Sequence, residues 1–134
     1  MDTKTLTPEQ EAVFARLYTE RAFYEGASSR FFDAWRRAVA LAGYRYFGDD
    51  TKASWDAAND KWALVPDADL IRSALGVLSH GERIFLAALY CFYNDIDGKD
   101  MCAAAGLNTV LDLTILDMEH KQIISDLLFN YNGW

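Results

Sequence analysis

Ser79-His80-Gly81-Glu82-Arg83-Ile84-Phe85-Leu86-Ala87-Ala88-Leu89-Tyr90-Cys91-Phe92-Tyr93-Asn94, residues 79–94, is the stretch on which the fold turns. The ten residues from Ile84 to Tyr93 carry no charge. Wound as a helix, Ile84, Phe85, Ala88, Leu89 and Phe92 make one apolar face, and Leu86, Tyr90 and Tyr93 make another. A helix that is apolar all round must be covered by other helices. It is too short to cross a bilayer, which takes about 20 apolar residues. Ser79 and Glu82 have the S-x-x-E spacing of a capping box, which sets the helix start. The stretch therefore predicts an all-α domain, a single-domain bundle of six or seven helices over residues 1–134 around a buried central helix at about 82–94.

Toward the C-terminus, Asn94-Asp95-Ile96-Asp97-Gly98 reads as a turn. A short helix over about 99–105 follows and ends at Gly106. Residues 108–116 alternate somewhat and are β-branched, which suits a strand. With no second strand to pair it, a short helix is the better expectation. Asp117 caps a last helix to about Tyr131, with Ile123, Ile124, Leu127, Leu128 and Tyr131 as its buried stripe. Trp134 is expected to tuck against the bundle.

Toward the N-terminus, Thr7-Pro8-Glu9-Gln10 is a helix start with a capping box and a proline at the first helical position. That helix is expected to bury Val13, Phe14, Leu17 and Tyr18 and to end at Gly26. Ser28 or Ser29 then caps a second helix to about Phe47, with Phe32, Trp35, Val39, Ala42 and Tyr46 as its stripe. A third helix over about 52–63 places Trp55, Ala58 and Trp62 on one face. Val65-Pro66 breaks the chain, and Asp67 caps a fourth helix to about Leu78.

The pairing of GERIFLAALYCFYN with LDMEHKQIISDLLFNYNGW, within residues 79–134, resembles the C-terminal half of short uncharacterised proteins carried on bacterial plasmids and integrated mobile elements. The likeness is a pattern of core positions with a Gly-Trp ending and brings no active site. It implies roles such as inhibitor, immunity factor or accessory protein.

The net charge of −7 is unevenly spread. Residues 1–47 hold seven Lys/Arg against six Asp/Glu, a balance of +1, and residues 48–134 hold six against fourteen, a balance of −8. Such a surface repels nucleic acid and attracts basic partners. It argues against direct DNA or RNA binding, and the helix-turn-helix-like run 99–116 has no Lys or Arg after Lys99 with which to read bases. The aromatic content, eight Phe, seven Tyr and four Trp, exceeds what a core of this size demands and suits an interface.

Chemical motifs are absent. The run 95–100 resembles a calcium loop, but with Gly98 at position 6 the first position is Tyr93 and the twelfth is Ala104, neither a ligand there. Asp117 and His120 at i, i+3 do not make the three- or four-ligand set that zinc requires. Cys91 reads as buried and inert, and Cys102 as the more available thiol, with no histidine near it in sequence. No metal or cofactor is expected. Two cysteines without metal spacing, and an N-terminus MDTKTLTPEQ without a secretion signal, point to reduced thiols in a cytoplasm.

The expectation is a non-enzymatic, acidic protein-binding module, in its sharper form an inhibitor that covers a basic, nucleic-acid-binding surface of a partner protein. The candidate binding residues are Asp49, Asp50, Trp55, Asp56, Asp60, Asp95, Asp97 and Asp100. Arg30, Arg36, Arg37 and Arg45 form a candidate basic patch. Two alternatives stand beside it: a small-ligand binder or enzyme with a pocket lined by Trp35, Trp55 and Trp62, and a homo-oligomer joined through aromatic surface.

Overall fold

The structure, a computed structural model, describes residues 5–134. Residues 1–4, part of the stretch read for a secretion signal, lie outside the described residues. The chain is all-α: helices α1 (Pro8–Ala42), α2 (Lys52–Ala57), α3 (Ala68–Ala74), α4 (His80–Tyr93), α5 (Asp95–Ala105) and α6 (Met118–Asn130), with short 3₁₀ segments at Tyr44–Tyr46, Lys61–Leu64 and Val110–Ile115. Within the run 108–116 the short helix expected there is the 3₁₀ segment Val110–Ile115, not a strand. An isolated β-bridge joins Phe47 to Pro66, where Gly48 and Asp67 donate to the carbonyls of Val65 and Tyr46.

The central helix starts where its capping box places it. Ser79 Oγ accepts from the Glu82 amide and Glu82 Oε1 accepts from the Ser79 amide. Seven consecutive residues, Ile84 to Tyr90, are buried. The second half of α1 and the inner face of α6 lie against each other, and α4 packs on α5. No helix among the described residues is long and apolar enough to cross a membrane.

The first two predicted helices are one. α1 runs 35 residues, about 52 Å at 1.5 Å per residue, straight through Gly26, Ser28 and Ser29. A glycine inside a helix costs only about 1 kcal/mol. Burial of Ala27, Phe31, Ala34, Trp35, Ala38 and Val39 along a single stripe outweighs that. Arg30 braces the weak point: its guanidinium donates to Asn130 Oδ1 at 2.7 Å and to the Phe23 carbonyl, and lies over the Phe23 ring. The consequence corrects a second expectation. The bundle covers only the C-terminal half of α1, so Val13, Phe14, Leu17 and Tyr18 are exposed, Tyr18 by 77 %.

The predicted helix 52–63 is broken after Ala57. Arg36 Nη1 donates to the carbonyls of Trp55 and Ala58, and Asp60 accepts from the Ala63 amide to start a separate 3₁₀ turn. Trp55, Ala58 and Trp62 therefore do not share a face. α3 stops at Ala74, short of Leu78. Asn94 to Gly98 is not a turn: Asn94 closes α4 and caps α5 through the Asp97 amide, so the joint is a single residue. Gly98 is buried at the crossing, where an added Cβ would come within 2.8 Å of Cys91 Sγ. On α6, Ile123, Ile124 and Leu127 are buried as expected, whereas Leu128 and Tyr131 face outward.

Trp134 tucks in. Its ring centroid lies 4.9 Å from that of Trp35 and 5.3 Å from that of Tyr93, both edge-to-face. Lys61 donates to the Gly133 carbonyl at 2.7 Å and covers the Trp134 ring.

Candidate functional site

Because α4 is apolar all round, its inward face is consumed by the core while Ala88, Cys91 and Phe92 remain for a second neighbour. That neighbour is incomplete. Leu107 beyond the end of α5, Val110 and Leu113 of the third 3₁₀ segment, Ile124 and Leu128 of α6, and Tyr131 just past its end form the other walls of a groove of about 400 Å³, open to solvent. Asp95, the first residue of α5, is the one charged side chain in the lining. Val110 is 78 % exposed and Leu128 62 %, so carbon continues out of the groove onto the surface. A shallower depression of about 240 Å³ shares Leu113, Ile124 and Leu128 with it and ends at Lys121.

The predicted acidic residues fall into two groups on different elements. Asp95, Asp97 and Asp100 are exposed on α5. Of these only Asp95 lines the groove, and Asp97 accepts from the Asn94 side-chain amide at 3.1 Å. Asp49, Asp50, Asp56 and Asp60 belong to the segment around α2 and are exposed. Asp49 is engaged locally: it accepts from the Thr51 hydroxyl at 2.6 Å, and that bond holds its carboxyl below the usual carboxylate value.

Each arginine of the predicted basic patch has a partner within the chain. Arg30 serves α1 and Asn130. Arg36 lies over the Trp55 ring at 4.2 Å and caps backbone carbonyls. Arg37 pairs with Asp126 at 2.7 Å, and Arg45 lies over Tyr46. These guanidiniums engage the chain's own groups. The predicted tryptophan pocket does not form. Trp35 is fully buried, its Nε1 donating to the Leu64 carbonyl. Trp55 is half-buried and donates to the Arg36 carbonyl. Trp62 is 60 % exposed and leans on Trp134.

The two thiols meet, which spacing along the chain did not reveal. Cys91 Sγ and Cys102 Sγ lie 2.9 Å apart across the α4–α5 crossing, and both residues are half-buried. Cys91, not Cys102, faces the groove. The Cys102 hydrogen bond draws the Cys91 thiol below its usual value, while that contact with Cys91, followed by burial, pushes Cys102 up. Cys91, read from the sequence as buried, is therefore half-buried and is the thiol in the groove lining. The only sequence signal was the helical placement of each cysteine on an apolar segment.

His120 Nδ1 lies 2.6 Å from Asp117 Oδ1, and its ring meets Phe85 edge-on at 4.5 Å. Among the described residues no three His, Cys, Asp or Glu side chains converge to hold a metal ion. Comparison with known proteins found no matching family, no matching curated protein and no matching solved structure.

Proposed function

We propose that the protein is a non-enzymatic, acidic protein-binding module that inhibits a partner by covering its basic, nucleic-acid-binding surface, with the α4–α5–α6 groove as the docking site. The observation that carries this is the groove itself: an open, carbon-lined channel with a single carboxylate, Asp95, in its wall and Asp97 and Asp100 on the same helix. An amphipathic helix lays its apolar ridge into such a groove. Lys or Arg on its flanks would meet the α5 carboxylates, and the balance of −8 over residues 48–134 would steer its approach. The likeness of residues 79–134 to short proteins of mobile elements points to the same class of role.

The test uses the tagged protein against a native-host lysate, followed by kinetics with the retained partner. A basic nucleic-acid-binding protein is expected, released from nucleic acid as the module is added. Leu128→Asp is expected to weaken binding at least tenfold, as loss of a buried anchor does. Asp100→Lys is expected to slow association more than it speeds dissociation. An association rate unchanged between low and high salt would defeat the charge-steered mechanism, and full binding by Leu128→Asp would remove the groove.

One observation favours the homo-oligomer as a second reading. Val13, Phe14, Leu17 and Tyr18 form an uncovered stripe on the projecting half of α1. A second copy laid antiparallel along it would bury these side chains and match the mixed charges of Glu11, Arg16, Glu20 and Arg21 against themselves. Sedimentation equilibrium reads this directly. A dimer that Leu17→Glu dissociates supports it, and a monomer at every concentration removes it.

A further inference from the structure

We infer that Cys91 and Cys102 are a two-electron redox pair, closed to an intramolecular disulfide by a hydroperoxide that reaches Cys91 from the groove. The inference goes beyond the docking reading and concerns the free protein, in which the groove is open.

Three observations on the page converge. The sulfurs are 2.9 Å apart, so closure to a disulfide at about 2.05 Å needs less than 1 Å of movement. Gly98 permits the approach, since any larger residue there would press on Cys91 Sγ and Cα. Finally, Cys91 lines an open groove, whereas Cys102 points back toward the Ala87 carbonyl at 3.7 Å. Both residues are half-buried, but Cys91 alone lines the groove, the placement of an attacking cysteine with Cys102 as its resolving partner. The Cys102 sulfur lies within hydrogen-bond reach of Cys91 Sγ, a contact able to support a thiolate on Cys91, and the thiolate is the nucleophile.

The chemistry balances. The Cys91 thiolate attacks one peroxide oxygen and the O–O bond breaks. With hydrogen peroxide the leaving hydroxide is neutralised by the proton that the Cys91 thiol gave up to solvent on forming the thiolate, which makes the first water, and Cys91 becomes a sulfenic acid. Cys102 sulfur then attacks Cys91 sulfur. The S–S bond forms, the S–O bond breaks, and the departing hydroxide takes the Cys102 proton. Two thiols lose two electrons and one peroxide becomes two waters. The product ties α4 to α5 across the Asn94 joint.

The experiment treats the fully reduced, full-length protein with hydrogen peroxide under native conditions. It is then quenched in acid, unfolded with N-ethylmaleimide and digested with trypsin. Loss of two hydrogens from the intact monomer, no maleimide adduct, and joined peptides 84–99 and 100–121 are expected. Sulfinic acid on either cysteine, two alkylated thiols, or a link between chains would overturn the inference. Two variants, checked for native circular dichroism, test the assigned roles. Cys102→Ser is expected to leave a sulfenic acid on Cys91 that dimedone traps. Cys91→Ser is expected to leave Cys102 on the order of tenfold slower toward peroxide, because Cys102 does not line the groove through which the oxidant arrives. Equal rates in the two variants would overturn the assignment of attacker and resolver.

Discussion

At the scale of single residues, the exposed carboxylates do more than colour the field. Asp112 accepts from the amides of Asn108 and Thr109 at 2.8 and 2.9 Å, and Asp117 accepts from that of His120 at 3.0 Å. The backbone N–H of Thr109, then of Asn108, holds the Asp112 carboxyl below its ordinary 3.8, and the N–H of His120 does the same for Asp117. A depressed folded-state value contributes stability that is present above the unfolded value and lost as pH falls through the folded one. The urea midpoint is therefore expected to fall on acidification below about pH 4. In Asp112→Asn with Asp117→Asn it should start lower at neutral pH and fall less steeply. A parallel acid limb in the double variant would show that other groups carry it. Gly98 is the second residue with a sharp consequence. Alanine there gains about 1 kcal/mol of helix preference, but its Cβ would stand 2.8 Å from Cys91 Sγ and 3.1 Å from Cys91 Cα. Overpacking of this kind costs about 1–3 kcal/mol. Because the obstacle includes backbone, Gly98→Ala is expected to destabilise the protein in urea titration.

At the scale of elements, α1 decides how much apolar surface the molecule leaves outside its core. A chain broken at Gly26 could fold Val13, Phe14, Leu17 and Tyr18 back onto the bundle. A continuous helix cannot, and these side chains are exposed. Ser28→Pro separates the two arrangements. At the start of a helix proline is welcome. Inside one it removes a hydrogen bond and clashes with the preceding turn, at about 3 kcal/mol or more. Ser28 is exposed, so no packing change intervenes, and a loss of that size is expected in urea unfolding. A neutral result would mean that the helix breaks there. The same scale explains α2: its continuation is refused by Arg36, which takes the Trp55 carbonyl at 2.7 Å that the next turn would need.

For the whole molecule, the aromatic residues divide between closure and display. Trp134 seals the open end of the core against Phe31, Trp35 and Tyr93, held by Lys61 through the Gly133 carbonyl. Its truncation to alanine is expected to cost about 2–3 kcal/mol, below the range for fully buried tryptophan because Trp134 is half-buried. Chemical denaturation followed by circular dichroism measures it. Elsewhere the apolar residues are turned outward: Leu111 and Ile115 beside the groove, Phe129 on α6, and the α1 stripe. Uncovered carbon on two separate sides, with negative charge between residues 48 and 134, is the physical basis for reading the molecule as one built to meet another protein.

The all-α class, the buried central helix and most helix starts were legible in the amino-acid sequence. Thr7, Asp67, Ser79 and Asp117 all cap where they were expected to. Each is an interaction of a side chain with an amide three residues on, so none of the four needs the rest of the fold. The continuity of α1, the end of α2, the partners of the arginines and the meeting of the thiols came from the packing. Each depends on groups far apart in the chain: Arg30 with Asn130, Arg36 with Trp55, Arg37 with Asp126, and Cys91 with Cys102. The groove belongs with them. Its walls come from three helices and a 3₁₀ segment, and whether an apolar side chain ends in a core or along a groove is settled by how completely its neighbours close over it.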